Sequence, residues 1–308
     1  MQPDGLWSIG ELAERAGVSV KTVRFYSDRG LLPEAGRSGG GHRRYGPEAL
    51  DRIRVIRSLR ALDLAVPEVG RALEDRDAAL EQALAGRLRE VEGELAALRW
   101  RAASLRLLAE SEAGERAERL LLLGAVGLPP GTDDVVRFWR RVLPVRLPGR
   151  LVSRVLDAVV PPLPADPAPE QVLAFARLHA LVRDPQLDRV PALRPGPPLP
   201  GERYRPTVLY EGLEEAYGLA GAETRGGRPP EGGGALDCFV TAYAAALGTQ
   251  DGPAFRRRLV RLLAREDGPV MSRYWKLAVP LFPAEEPALG QLHYRLVLAL
   301  RADSATTA

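Results

Sequence analysis

The hydrophobic and polar positions at the start of the chain predict two short helices that pack against each other. Ser8 and Glu11 form a capping-box pattern, and apolar residues follow at helical spacing as far as Gly17. Ser19 is placed to cap a second helix, which Gly30 can end because glycine readily adopts the left-handed conformation. Two short helices joined through Gly17 are typical of a helix-turn-helix motif.

A glycine-rich loop and a third helix follow this motif. Residues 38–41 have the sequence SGGG, and the chain returns through Arg43 and Tyr45, which predicts a mobile, wing-like loop. Pro47 suits the first turn of the next helix. The inner face of that helix is formed by apolar residues at helical spacing, namely Ile53, Ile56, Leu59 and Leu62.

A seven-residue repeat marks the next segment. Its apolar positions alternate between spacings of four and three residues over three heptads, which is typical of a coiled-coil seam. The seam consists of Leu84, Leu88, Val91, Leu95, Leu98, Ala102 and Leu105. We therefore expect a homodimer that forms through this helix. The alternative is an amphipathic helix that packs inside its own domain.

Beyond Gly114, helical blocks alternate with proline-rich breaks, and no stretch has the period of a strand. The predicted helices cover residues 116–126, 133–143, 149–159, 170–183, 207–219, 236–247, 254–265, 270–279 and 288–301. Segments rich in Pro and Gly are predicted to be surface loops, and these are residues 161–169, 191–200 and 226–234. The C-terminal part is therefore expected to be an all-α, multi-helix domain.

Composition excludes several classes of protein. With 308 residues and 45% apolar content, the chain is long enough for at least two globular domains. The longest apolar run, residues 120–126, is far shorter than the roughly 20 residues that cross a bilayer. We therefore expect a cytoplasmic protein that is not inserted in a membrane. A single cysteine, Cys238, excludes an internal disulfide and a metal site of paired thiolates, and we expect no metal and no cofactor.

The local charge is more informative than the net charge of +3. Residues 1–62 hold eleven basic and seven acidic side chains, so this fifth of the chain carries a charge of +4. A surface that faces phosphates and a solvated charged face are both consistent with this excess.

Residues 7–73 resemble the DNA-binding domain of the MerR family of bacterial transcription regulators. They contain SIGELAERAGVSVKTVRFYSDRGLLP, GHRRY and LRALDLAVPEVGRAL. Residues 24–28 are similar to the family's pattern of arginine, two aromatics and an acid, with Phe25 for the usual tyrosine and the acid displaced by one. Residues 41–45 match its Gly-x-Arg-x-Tyr pattern. Asp63 replaces a glycine that usually precedes the fourth helix.

The resemblance, which ends near residue 111, implies a winged helix-turn-helix DNA-binding domain (1–76) and a long dimerisation coiled-coil helix (77–112). The helical pattern of the remainder predicts an all-α domain (113–308) that we expect to bind an effector, so the whole fold is expected to be mainly α. The resemblance also implies a dimer whose second helices enter the major grooves of an inverted-repeat operator in double-stranded promoter DNA. Activators of the family distort the promoter so that RNA polymerase can use it.

Several side chains of the first domain are candidates for DNA contacts. Lys21 and Thr22 occupy the first turn of the second helix, which in helix-turn-helix docking points at base edges. Further candidates for the DNA-binding site are residues that could contact phosphate or that belong to the family's motifs. They are Arg24, Phe25, Tyr26, His42, Arg43, Tyr45, Arg57 and Arg60. For each of them, a solvated or packed side chain is the alternative.

The C-terminal domain holds 13 of the 18 aromatic residues, all beyond Asp134. A helical domain of this composition can enclose an apolar pocket for a small organic effector. The candidate ligand contacts are Trp139, Tyr210, Tyr243 and Trp275. An aromatic core in a domain that binds a protein partner is one alternative, and an enzyme domain is another. We expect no enzyme, because no nucleophile and base stand at a recognisable spacing.

Overall fold

The computed structural model describes residues 5–74, 78–189, 204–227, 234–266 and 268–306. The chain divides into two compact units, which are unit 1 (Met1–Leu95) and unit 2 (Ala96–Ala308). The predicted domain boundary at residue 76 and the predicted loop at 191–200 lie outside the described residues. Within the described ranges, no helix is long and apolar enough to cross a membrane.

Unit 1 combines short helices with a small sheet and contains the start of a long helix. Its elements are β1 (Trp7–Ser8), α1 (Ile9–Ala16), α2 (Val20–Asp28), β2 (Gly36–Arg37), β3 (Arg43–Tyr45), α3 (Glu48–Ala61), α4 (Val66–Glu74) and the first part of α5 (Ala78–Glu110). The three strands are antiparallel in the order β1-β3-β2. Trp7 lies opposite Tyr45, and Arg37 lies opposite Arg43.

The predicted caps of the first two helices are confirmed. The amide of Glu11 donates to Ser8 Oγ over 3.3 Å, and the amide of Ser8 donates to the Glu11 carboxylate over 2.7 Å. Gly17 ends α1 with a φ of 62°. Ser19 Oγ accepts from the amide of Thr22 over 3.1 Å at the start of α2. Local capping energies of about 1 kcal/mol each therefore fix the turn between the two helices.

The core of unit 1 lies among these helices and the sheet. Leu12, Val23, Tyr45 and Ile53 have no exposed surface, and each contributes roughly 1.5–3 kcal/mol through burial. Asp63 has a φ of 61° between α3 and α4, so it adopts the left-handed conformation expected at this position.

Among its described residues, unit 2 consists of helices joined by loops and contains no strand, as predicted. After the last part of α5 come α6 (Ala113–Gly124), α7 (Asp133–Val142), α8 (Gly149–Val159), α9 (Pro169–Val182), α10 (Pro206–Arg225), α11 (Gly234–Leu247), α12 (Pro253–Glu266), α13 (Pro269–Ala278) and α14 (Leu289–Thr306). Helix α10 continues six residues beyond its predicted end at 219. Its last turns pack through Ala220 and Gly221, which are buried but give little hydrophobic signal.

Two hydrophobic clusters form the core of unit 2. The first is aromatic and includes Trp100, Phe138, Phe175 and Tyr274. The Tyr274 hydroxyl donates to the carbonyl of Val159 over 2.7 Å, so its burial leaves no polar atom without a partner. The second cluster joins α10, α11, α12 and α14, mostly through small and aliphatic side chains together with Phe239 and Phe255.

A buried histidine and an aspartate join α7 to α9. His179 Nε2 lies 3.0 Å from Asp134 Oδ2. Burial raises the pKa of Asp134, but the hydrogen bond and charge of Arg137, followed by the charges of Arg183 and His179, outweigh it. The pKa of Asp134 therefore lies below its ordinary value of 3.8.

Candidate nucleic-acid interface

The exposed face of α2 carries two cations without an ion-pair partner among the described residues. Lys21 lies in the first turn and Arg24 in the second, and both side chains are exposed. Thr22 is half-buried, and its hydroxyl lies 2.8 Å from Ser19 Oγ. Lys21 and Arg24 are therefore free to meet a ligand, whereas Thr22 takes part in the cap of its own helix.

The tyrosines of the two family patterns are buried. Tyr26 is 8% exposed, and Tyr45 has no exposed surface. The Tyr45 hydroxyl donates to Ser27 Oγ over 3.0 Å, which ties β3 to α2. Phe25, by contrast, is 42% exposed beside Tyr26. Tyr45 is therefore placed to hold the sheet against α2 and does not itself reach the surface.

A turn between β2 and β3, residues 38–42, lies where the sequence predicts a wing-like loop, and we refer to it as the wing. The amide of Ser38 donates to the carbonyl of His42, and the amide of Gly41 donates to the carbonyl of Ser38, each over 2.8 Å. Gly41 has a φ of 78°, which explains the glycine at this position. His42 is exposed at the end of the turn.

Arg43 is held by two carboxylates at the base of the wing. Its Nη1 donates to Asp28 Oδ1 over 2.6 Å, and its Nε lies 2.8 Å from Glu34 Oε1. The hydrogen bond to Asp28 raises the pKa of Arg43, and the charges of both acids add to this effect. Because Asp28 is the last residue of α2, the ion pair fixes the wing relative to that helix. The predicted phosphate contact of Arg43 has to compete with these two partners.

The two arginines predicted on α3 also have partners within the chain. Arg57 Nη1 donates to the carbonyl of Ala16 at the end of α1 over 3.0 Å. Arg60 Nη1 donates to the carbonyl of Leu64. Each guanidinium thus satisfies a carbonyl at a helix end or just beyond one, and each retains further N–H groups for other acceptors.

Two cations that the sequence did not single out lie over aromatic rings. The Arg15 guanidinium is 4.6 Å from the centre of the Trp7 ring, and the Arg29 guanidinium is 5.2 Å from that of Phe25. The spacing of four residues between Phe25 and Arg29 on one helical face is a signal that could have identified the second contact.

The six leucine and valine side chains of the predicted seam are all exposed in the single chain, between 39% and 63%. A different face of α5 is buried, through Trp100, Ala103 and Leu107 in the aromatic cluster of unit 2. The face by which α5 packs in unit 2 is therefore different from the seam.

The four residues predicted to bind an effector do not come together in one pocket. Trp139 packs against Tyr274 and Trp275 in the aromatic cluster, with ring centres 5.2 and 6.1 Å apart. Tyr243 packs on Phe239 in the other cluster, and Tyr210 contacts both clusters. Two surface cavities of unit 2, of about 300 and 380 Å³, are lined by other residues. Among the described residues, no group of His, Cys, Asp and Glu could hold a metal ion.

Comparisons with known proteins agree with the architecture of unit 1. Residues 7–76 match a family model described as MerR HTH family regulatory protein. Nodulation protein NolA of Bradyrhizobium elkanii is 46% identical over 68 residues, which cover 22% of this chain and 31% of NolA. The mercuric resistance operon regulatory protein of Serratia marcescens is 41% identical over 66 residues, 21% of this chain and 46% of that protein.

The transcriptional activator TipA of Streptomyces coelicolor is 44% identical over 69 residues, which cover 22% of this chain and 27% of TipA. A solved MerR-family transcriptional regulator from Bacillus cereus is 25% identical with a TM-score of 0.26 and covers 50% of this chain and 95% of that one. The chain spans less than half the length of each of the three relatives in sequence. Unit 1 is a helix-turn-helix domain with a small antiparallel sheet. This domain is a MerR-family helix-turn-helix domain.

Proposed function

We propose that this protein is a dimeric transcription regulator of the MerR type that binds an inverted repeat in double-stranded promoter DNA. It acts at the nucleoid in the bacterial cytoplasm, works with RNA polymerase, and responds to a small organic effector in unit 2. The observation that carries the proposal is the match of residues 7–76 to MerR-family domains, together with two exposed cations on α2 that lack ion-pair partners among the described residues. We propose no catalytic activity.

Lys21 and Arg24 have different parts in this proposal. Lys21 stands in the first turn of α2, the part of a recognition helix that approaches base edges, and it contributes to sequence preference. Arg24 stands one turn later and contacts phosphate, which contributes affinity without sequence preference. His42 at the wing and the remaining N–H groups of Arg57 and Arg60 add further phosphate contacts.

The exposed seam of α5 supports the proposed dimer. A long helix with a heptad row of exposed leucines in the single chain has a large apolar surface to bury, and a second copy offers an identical row. Two-fold symmetry of the protein then matches an inverted repeat in DNA.

The test is selection of genomic DNA by the purified full chain. Fragmented DNA from the source genome is incubated with the protein at roughly 150 mM salt, where nonspecific phosphate binding is weak, and the retained fragments are sequenced. We expect a shared inverted repeat. Retention of random fragments alone, with no sequence preferred over any other, would contradict the proposal.

Two variants separate the predicted roles. Arg24→Ala should weaken binding to every duplex and lower the slope of log K against log salt by about one unit, since one phosphate contact is lost. Lys21→Ala should instead change which sequence is preferred. Equal effects of both variants on all sequences would refute this division.

A further inference from the structure

One of the two cavities of unit 2 is an open cleft of about 380 Å³ at the C-terminal end of α8. This volume lies within the range of small-molecule sites. Its walls come from α8, α10, α14 and the segment before α14. The lining consists of Asp157, Ala158, Pro162, Tyr217, Gly218, Phe282, Pro283, Glu286, Pro287, Ala288, Leu289 and Leu292. The lining is thus apolar with two carboxylates and a phenol, and it contains no basic residue.

Two successive ion pairs join α8 to α10 and form a row that runs toward this cleft. Arg150 Nη2 donates to Glu211 over 3.1 Å, and one turn later Arg154 Nη1 donates to Glu214 over 2.6 Å. Both pairs are partly exposed and join the same two helices.

The row of ion pairs ends at the next pair of facing positions, and these two positions line the cleft. Positions 150, 154 and 157 lie on one face of α8, and positions 211, 214 and 218 lie on one face of α10. At this third pair of positions, Asp157 is found in place of the arginine that would continue the row on α8. Gly218 is found in place of the glutamate that would continue it on α10. A side chain at Gly218 would meet open space. Asp157 is exposed and has no cationic partner among the described residues.

We infer that this cleft binds an organic cation with an apolar body, such as a quaternary or protonated amine. Asp157 and Glu286 supply the negative charge that such a cation requires, and Phe282, Leu289 and Leu292 supply apolar contact surface. This inference names the class of the effector, and its consequence for DNA binding rests on the proposed function.

Tyr217 adds a third contribution to the same site. Its hydroxyl lies 2.8 Å from Nδ1 of His293, which holds the phenol in place. Because Tyr217 lines the cleft, its ring offers an aromatic surface to which a cation is attracted. A quaternary ammonium group is suited to this combination, since it is attracted to aromatic rings and carboxylates but donates no hydrogen bond.

The other cavity, of about 300 Å³, does not have this character. Of its two arginines, Arg256 donates to Asp251, Asp237 and Asp303 over distances of 2.5 to 3.0 Å, whereas Arg257 is exposed. The contacts of Arg256 raise its pKa, chiefly through Asp251. Arg256 therefore holds helices together, and a lining with two arginines and two aspartates has no excess of negative charge that would attract a cation.

The inference is tested by calorimetric titration of the full chain with trimethylammonium compounds that carry benzyl, naphthylmethyl or hexyl groups. Phenylacetate serves as an anion of similar size. We expect saturable binding of at least one cation, weakened by salt, and no binding of phenylacetate. No binding by any of the three cations up to their solubility limits, or equal binding of phenylacetate, would overturn the inference.

Variants locate the site. Asp157→Asn and Glu286→Gln should each weaken binding of the cation by about fivefold, the value of a partly exposed charge pair. Gly218→Leu should block binding by filling the open space without a change of charge. The matched controls are Asp166→Asn and Glu285→Gln, which remove exposed carboxylates outside the cleft and should leave the affinity unchanged. Equal losses in controls and test variants would also overturn the assignment.

Selection of genomic DNA by the same preparation distinguishes failure of the cation site from failure of the proposed DNA-binding function. Recovery of an inverted repeat without binding of a cation refutes this inference and leaves the proposed function intact. Binding of a cation that depends on Asp157, without any preferred DNA sequence, supports the cleft and refutes the proposed regulator.

Discussion

Truncation of Leu88 to alanine tests whether the exposed face of α5 is a dimer seam. Leu88 lies in the middle of the first heptads and is 57% exposed in the single chain. The change removes three carbons, worth about 2.4 kcal/mol if they were fully exposed before dimerisation and fully buried after it. Scaled by the exposed fraction, the loss is about 1.4 kcal/mol per chain and about 3 kcal/mol per dimer, since each dimer contains two copies. The dimer dissociation constant should therefore rise about a hundredfold.

Sedimentation equilibrium over a range of protein concentrations measures this constant. Alanine has a higher helix propensity than leucine, so the variant does not weaken α5 itself, and circular dichroism should show unchanged helicity. Arg89→Ala, at an exposed heptad position that faces away from the seam, is the control and should leave the dissociation constant unchanged. A dimer of Leu88→Ala as tight as that of the unsubstituted chain, or a chain that is monomeric throughout, would refute the seam.

Three further predictions concern stability, measured by urea or thermal unfolding. Asp63→Ala should destabilise unit 1 by about 1 kcal/mol, because alanine tolerates the left-handed φ of 61° less well, whereas Asp63→Gly should match or exceed the original stability. Gly290→Ala should cost about 1–3 kcal/mol, because its new Cβ would overlap the Trp275 ring, whereas Gly114→Ala meets open space and should be neutral or stabilising. Asp134→Asn should destabilise unit 2 at neutral pH. Since the folded pKa of Asp134 is lowered, its contribution is present above pH 3.8 and is lost as the pH falls further, so the difference between variant and original should shrink in acid.

The first two helices could be predicted from sequence because their signals are local. The side chains of Ser8 and Ser19 meet amides three residues away, and Gly17 provides its own left-handed conformation. The contacts of Arg43 could not be predicted in the same way. Its partner Asp28 is fifteen residues distant, and only the packing of the sheet on α2 brings the two together. The sequence therefore predicted a DNA contact for Arg43 but did not show that its charge is already engaged by two carboxylates.

Unit 2 shows the same limit in a different form. Proline breaks predicted most helix bounds to within a few residues. The exceptions are α10 and α14, which continue six and five residues beyond their predicted ends, α10 through buried small residues. The choice of Trp139 and Tyr243 as ligand contacts rested on residue type alone. The structure assigns these two residues to separate clusters, because the partner of an aromatic side chain depends on which helices meet. The cleft at Asp157 could not be predicted, because it forms where α8 packs beside α10, and the paired residues of these helices are some sixty positions apart in sequence.

The charged side chains discussed above differ in whether the fold already supplies them with a partner of opposite charge. The chain has 43 basic and 40 acidic residues, and only some of those in the described ranges form ion pairs, so an unpaired charge indicates a ligand only where a second feature, such as a cleft or a recognition helix, accompanies it. Arg43 and Arg256 are bound to carboxylates and are therefore occupied in stabilising the fold. Lys21, Arg24 and Asp157 have no ion-pair partner among the described residues, and each lies on a surface that a ligand can reach. The partners that we propose, an anion at α2 and a cation in the cleft of unit 2, would therefore bind without breaking an ion pair of the fold, and this favours binding because no internal contact has to be replaced.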